Sequence, residues 1–128
     1  MLNEKSKDQN VCIRIDRDGL QIERCKSHIQ EVNASLTEMA QILALAGNEV
    51  RLKILLLLQA EEKLCVCDLS EILDMKIPAV SQHLRKMKDV RLVYTEREGT
   101  VVFYQINPEQ KLTLDTILNL VLKPVFKV

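Results

Sequence analysis

The stretch from 75 to 106 sets the tightest limit on the fold. It reads MKIPAVSQHLRKMKDV and then RLVYTEREGTVVFYQI. The first half places Val80, Leu84 and Met87 at three- and four-residue steps, the spacing of one buried helix stripe. The second half abandons that period for two runs rich in β-branched and aromatic residues, LVYTE and VVFYQI, joined by REGT. Short extended runs around a Glu-Gly pair predict a hairpin. Ile77 precedes Pro78 and is pushed away from helical angles, so MKIP is expected to be a turn. Pro78 suits the first turn of the helix that follows.

The rest of the chain completes the pattern. From Ser27, a plausible N-cap, Ile29, Val32, Leu36, Met39, Ala40 and Leu43 make an amphipathic helix. Gly47-Asn48 is expected to end it and cap the next, EVRLKILLLLQA, which is apolar nearly all round. Asp68, followed three residues later by Glu71, predicts a capping box and a short helix from Leu69 to Asp74. After the hairpin, PEQKLTLDTILNLVLKP reads as a helix opened by Pro108 and ended by Pro124. Its stripes Leu114, Ile117, Leu118, Val121 and Leu112, Leu120, Leu122 exceed what a small domain covers, which points to a partner chain. Helix, helix, helix–turn–helix, hairpin, helix is the order of a winged helix. The expected class is mainly α with a small β-hairpin wing, as a homodimer.

Residues 1 to about 10 read as disordered. Val11, Ile13 and Ile15 alternate with polar residues in a strand-like way, and Asp18-Gly19 reads as a turn. Residues 1–26 are thus expected to form an arm carrying Cys12 and Cys25, with the winged helix-turn-helix and its flanking dimerisation helices over 27–128. The N-terminus lacks an apolar export core, and the longest apolar run, Ile54 to Leu58, is too short for a bilayer. A cytoplasmic protein without membrane association is expected. The 18 basic and 18 acidic residues cancel, yet between Lys76 and Glu98 six basic residues face three acidic ones. Only three glycines occur and no phosphate-cradling loop, so neither an enzyme nor a small organic substrate is expected.

Several stretches together resemble the ArsR/SmtB family of dimeric metal-responsive repressors, over about Leu43 to Asn107. LALAGNEVRLKILLLL is similar to that family's Leu-Ala-x-x-x-Arg opening, LCVCDLSEIL to its metal-binding Cys-Val-Cys-Asp-Leu box, and IPAVSQHLRKMKDVRLVYTEREGTVVFYQI to its recognition helix and wing. The resemblance implies a repressor that grips a palindromic, double-stranded operator and lets go when an ion binds. It implies base contacts from Ser81, Gln82 and His83 near the start of the recognition helix, with Pro78 opening it. Arg85 and Lys86 suit phosphates, and Arg97 and Thr100 on the wing suit the backbone or minor groove. Gln82 could pair with adenine. Val90-Arg91 replaces the family's Ala-Gly before the wing. Pro108, Gln110, Val121 and Pro124 stand where some relatives hold zinc between C-terminal helices, so that second site is expected to be missing. The N-terminal arm resembles that of the cadmium/lead-responsive members, with wider thiol spacing.

Cys65 and Cys67 precede the expected N-cap Asp68. Within a helix, residues two apart diverge by about 200°; outside it, the chain can turn both sulfurs to one point. The helix N-terminus favours a thiolate there, with Asp68 opposing. Two sulfurs are too few for a closed site, and Cys12 and Cys25 could complete it. Such thiolates select soft ions: Cd(II), Pb(II), Hg(II), Bi(III) or As(III), with Zn(II) also admitted. The bland alternative is buried structural cysteines. The functional rival is a redox or persulfide switch built on the same thiols and the same fold; a constitutive DNA-binding protein or a winged-helix adaptor are further alternatives.

Overall fold

The computed structural model describes residues 11–126, with side chains through residue 121. It divides into two compact units, one up to Leu36 and one from Thr37 onward. In the first unit, the alternation at Val11, Ile13 and Ile15 produces no strand; these residues are unpaired coil, with Ile15 98% exposed. Helix α1 spans Gly19–Ala46, beginning eight residues before the expected Ser27 cap. Asp18 is the reason: its Oδ1 accepts from the Gln21 amide at 3.0 Å, a side-chain cap that outcompetes the turn reading of Asp-Gly. Cys25 therefore sits on a helix, exposed like Cys12.

The second unit holds the core. The end of α1 buries Ile42 and Ala46. Helix α2 (Glu49–Glu61) is capped as expected by Asn48, whose Oδ1 accepts from the Arg51 amide at 3.1 Å, and it buries Ile54, Leu55 and Leu58. A tight turn at Glu62, closed by Lys63 N–H donating to Glu61 O at 2.8 Å, leads into strand β1 (Leu64–Cys65). Helices α3 (Val66–Leu73) and α4 (Ile77–Asp89) form the helix–turn–helix. The turn between them is held by Met75 N–H on Ser70 O and by the Ser70 hydroxyl on Met75 O.

Strands β2 (Val93–Glu98) and β3 (Val101–Ile106) are the expected wing, in antiparallel register from Val93↔Ile106 to Glu98↔Val101. Only Gly99 and Thr100 remain in the turn. Gly99 has φ 65, as the first position of a tight two-residue hairpin turn requires. The sheet has three strands, not two: β1 adds to β3 with Leu64↔Tyr104 and Cys65↔Phe103, giving the order β1-β3-β2. Arg91 adopts φ 62, so the turn into the wing takes the left-handed geometry that favours glycine, made here by an arginine. Asn107 braces it, its Nδ2 donating to Arg91 O at 2.9 Å.

A 3-10 turn (Pro108–Gln110) leads into helix α5 (Lys111–Phe126), which continues past Pro124, the expected stop. Leu114 and Leu118 enter the core; Leu112, Leu120 and Val121 stay exposed. Leu69, Val80, Leu84, Met87, Leu92, Val93 and Ile106 complete the core, and Tyr104 packs against it partly buried. Each fully buried Leu or Ile contributes about 1.5–3 kcal/mol. Among the described residues no helix is long and apolar enough to cross a membrane.

Candidate nucleic-acid interface and thiol site

Helix α4 has two unlike faces. Val80, Leu84 and Met87 are fully buried. Pro78, Gln82 and Arg85 are exposed and Ser81 is half-buried; at about 100° per residue these four share the face opposite the core. Lys86 is exposed beside them. No acidic residue lies in the first turn of α4, so nothing there opposes a phosphate.

His83 lies on the border between the two faces and is half-buried. Its Nδ1 stands 3.2 Å from Nη1 of Arg51 on α2. The same guanidinium donates from Nε to Leu45 O at 2.6 Å, so Arg51 joins the end of α1 to the recognition helix. Burial, then the Arg51 and Lys86 charges, hold the imidazole below its ordinary titration range. Sequence reasoning assigned Arg51 no role. Arg51 shares α2 with Glu49, Lys53 and Glu61, and nothing in its local pattern sets it apart from these charged residues.

On the wing, Arg97 and Thr100 are both exposed. Arg97 belongs to β2, opposite Val102, and Thr100 to the turn. Behind the wing tip, Lys63 pairs with Glu98 and lies 4.9 Å from the Phe103 ring centroid. The hydrogen bond to Glu98 raises the Lys63 ammonium above its usual range. Tyr94 Oη donates to Gln105 Oε1 at 2.9 Å, and Gln105 Nε2 to Glu96 Oε1 at 2.7 Å, a polar ladder across the two strands.

The thiols are placed differently from expectation. The cap of α3 is Cys65, not Asp68, and the side chain of Cys65 makes no capping bond. Pairing of β1 with β3 keeps Cys65 extended, at φ −90 and ψ 166, so the helix begins directly after it. Cys67 is then the second helical residue, and Asp68 a first-turn acid that complements the helix dipole. One thiol lies outside the helix and one inside it. Cys65 is half-buried, Cys67 is exposed, and both are free. As soft donors they suit two positions of a thiophilic ion. Among the described residues no three His, Cys, Asp or Glu side chains gather closely enough to hold an ion. Gln110 is buried and donates to Glu38 Oε2 at 3.0 Å.

Residues 48–95 match the family described as bacterial regulatory protein, arsR family. The cadmium resistance transcriptional regulatory protein CadC of Listeria innocua serovar 6a is 31% identical over 104 residues, covering 81% of this chain and 82% of that one. The arsenical resistance operon repressor of Escherichia coli K12 is 37% identical over 68 residues, 53% of this chain and 58% of that one. Among solved structures, the homodimeric winged helix-turn-helix DNA-binding domain of a possible ArsR-family regulator from Mycobacterium bovis superposes with a TM-score of 0.61, at 27% identity, over 75% of this chain and 88% of that one. All three are transcription regulators or their DNA-binding parts.

Proposed function

Because this chain belongs to the arsR family of bacterial transcription regulators, we propose that it is a dimeric repressor whose operator is released when a soft ion is captured by Cys65 and Cys67. The observation that carries this reading is the position of Cys65. It is the last residue of β1, paired with Phe103 of the wing, and also the cap of α3, the first helix of the helix–turn–helix. An ion bound there would act on both DNA-contacting elements at once. Cd(II), Pb(II), Hg(II) and As(III) are the inducers this donor set favours, with Zn(II) a weaker candidate. Cys12 and Cys25 are the thiols offered as remaining ligands. The names of the cadmium and arsenical relatives support the class of ion.

In the same proposal, Pro78, Ser81, Gln82, His83, Arg85 and Lys86 face the major groove or its phosphates, and Arg97 and Thr100 extend the contact from the wing. Two recognition helices, one per protomer, call for a palindromic operator. Ion and DNA then weaken each other by the same factor, on the order of 1–3 kcal/mol.

A gel shift on the DNA upstream of the gene tests this. Cd(II), Pb(II), Hg(II), As(III) and Zn(II) are titrated against wild type, Cys65→Ser and Cys67→Ser. Release of wild type by at least one soft ion, with both variants retained on DNA, is the expected result. Release of both variants at wild-type ion concentrations refutes the thiol site.

One observation favours a second reading. Cys65 and Cys67 are both free and stand one residue apart, and a switch needing only two thiols has less to assemble. Cys65 and Cys67 would lose two electrons and two protons to an oxidant, forming a disulfide or, with added sulfur, a polysulfide bridge. Release by peroxide, reversed by dithiothreitol and unaffected by cadmium, identifies that case.

A further inference from the structure

We propose that Arg51 is a positioning residue for DNA reading: by donating to Nδ1 of His83, it leaves Nε2–H as the donor that His83 offers to an acceptor on DNA. This rests on the reading of α4 as the recognition helix. The argument follows from donor and acceptor inventory. A guanidinium carries only N–H donors and does not deprotonate in proteins. With Nη1 at 3.2 Å, the ring nitrogen facing it must be an acceptor. The imidazole is then neutral, and its proton is on the other nitrogen. Arg51 is itself tethered, since its Nε bond to Leu45 O fixes the head group at 2.6 Å and its amide is held by the Asn48 cap. Burial and the neighbouring charges of Arg51, from α2, and Lys86, on the next turn side of α4, also disfavour the protonated ring.

A free histidine offers a donor, an acceptor or two donors, depending on tautomer and charge. A ring locked by Arg51 offers one donor only. It therefore suits guanine N7 or O6, adenine N7, thymine O4 or a phosphate oxygen, and it rejects the amino groups of adenine and cytosine. The residue that sets this preference need not touch DNA.

The test has two parts on the full chain. Long-range 1H–15N spectra at neutral pH report each ring nitrogen directly, and only His28 and His83 need to be told apart. Wild type is expected to show His83 with bare Nδ1 and protonated Nε2, and Arg51→Met to show exchange between tautomers. A wild-type proton on Nδ1 overturns the proposal. In the second part, a duplex is selected from a random pool with wild-type protein. Arg51→Met is expected to weaken binding to it by about three- to tenfold, the scale of one hydrogen bond, and to cost nothing further in a His83→Ala background. An equal loss in both backgrounds means Arg51 acts only on the fold and defeats the idea.

Duplexes carrying 7-deazapurines (no N7), 2-aminopurine for guanine (no O6), 5-methylpyrimidin-2-one for thymine (no O4) or single methylphosphonates between them remove each acceptor that His83 could use. The loss caused by His83→Ala should vanish on whichever modification removes its partner; persistence on all of them also defeats the idea, and this arm stands even where Arg51→Met does not fold. Failure of wild type to select any duplex removes the DNA reading itself, and leaves the spectra to judge the Arg51–His83 pair alone.

Discussion

Cys65 pairs with Phe103 across the antiparallel β1–β3 ladder. The backbone of the half-buried thiol is thus continuous with the wing, and the following residue starts the first helix of the helix–turn–helix. An ion on Cys65 should change the hydrogen exchange of the wing. Adding Cd(II) is expected to alter amide protection in Val101–Ile106 in wild type and leave it unchanged in Cys65→Ser, as read by mass spectrometry. Identical protection in wild type with and without the ion would sever thiol from wing.

Arg91 holds φ 62 at the entry to the wing. A non-glycine residue in left-handed geometry costs about 1–2 kcal/mol, whereas glycine adds only about 0.5–1 kcal/mol of unfolded-state entropy. Arg91→Gly should therefore stabilise the fold by about 0.5–1 kcal/mol, seen as a raised urea midpoint at unchanged slope. A lowered midpoint would mean the Arg91 side chain contributes more than the strain takes away.

The helices from α2 onward were legible because apolar spacing is a local property: Val80, Leu84 and Met87 are buried as their period requires. Caps were less legible. Asp68 and Glu71 carry a capping signature, but β1 pairing with a strand almost forty residues away fixes the helix start at Val66. Asp18 was ambiguous because Asp-Gly serves turns and helix starts alike; what decides for a helix is the Asp18 carboxylate accepting from the Gln21 amide. The α4 face was readable from period and charge. The contact between Arg51 and His83 joins residues 32 apart in sequence, and no local pattern encodes it.

His83 gives the fold an acid-sensitive element. Its folded-state pKa lies below the ordinary 6.5, through burial first and then the Arg51 and Lys86 charges. Between those two values the unfolded chain binds more protons than the folded one, so stability rises with pH there. This contribution is intact above pH 6.5 and is lost as pH falls through the folded-state value. Thermal melts from pH 7.5 downward should show the decline, and His83→Gln should flatten that part of the curve. An unchanged slope in His83→Gln assigns the decline to other groups.

Helix α5 divides its leucines. Leu114 and Leu118 are buried, whereas Leu112 and Leu120 are 80% and 72% exposed. Leu114→Ala should cost about 2–5 kcal/mol. Leu120→Glu should leave the protomer fold within about 0.5 kcal/mol while shifting sedimentation from dimer toward monomer. Wild type sedimenting as a monomer would deny these leucines a second copy as their cover.

The Gly99-Thr100 turn has a consequence for how the wing can diverge. Side chains on a strand alternate between its two surfaces, so a one-residue change at the tip that the turn does not absorb as a longer loop would transfer every downstream side chain to the opposite surface. Tyr94, Glu96 and Gln105 would lose their shared ladder, and Cys65 would face a different neighbour on β3. On the proposed reading of the wing as a DNA contact, what it grips would diverge through swapped side chains such as Arg97, or through length changes that keep this register.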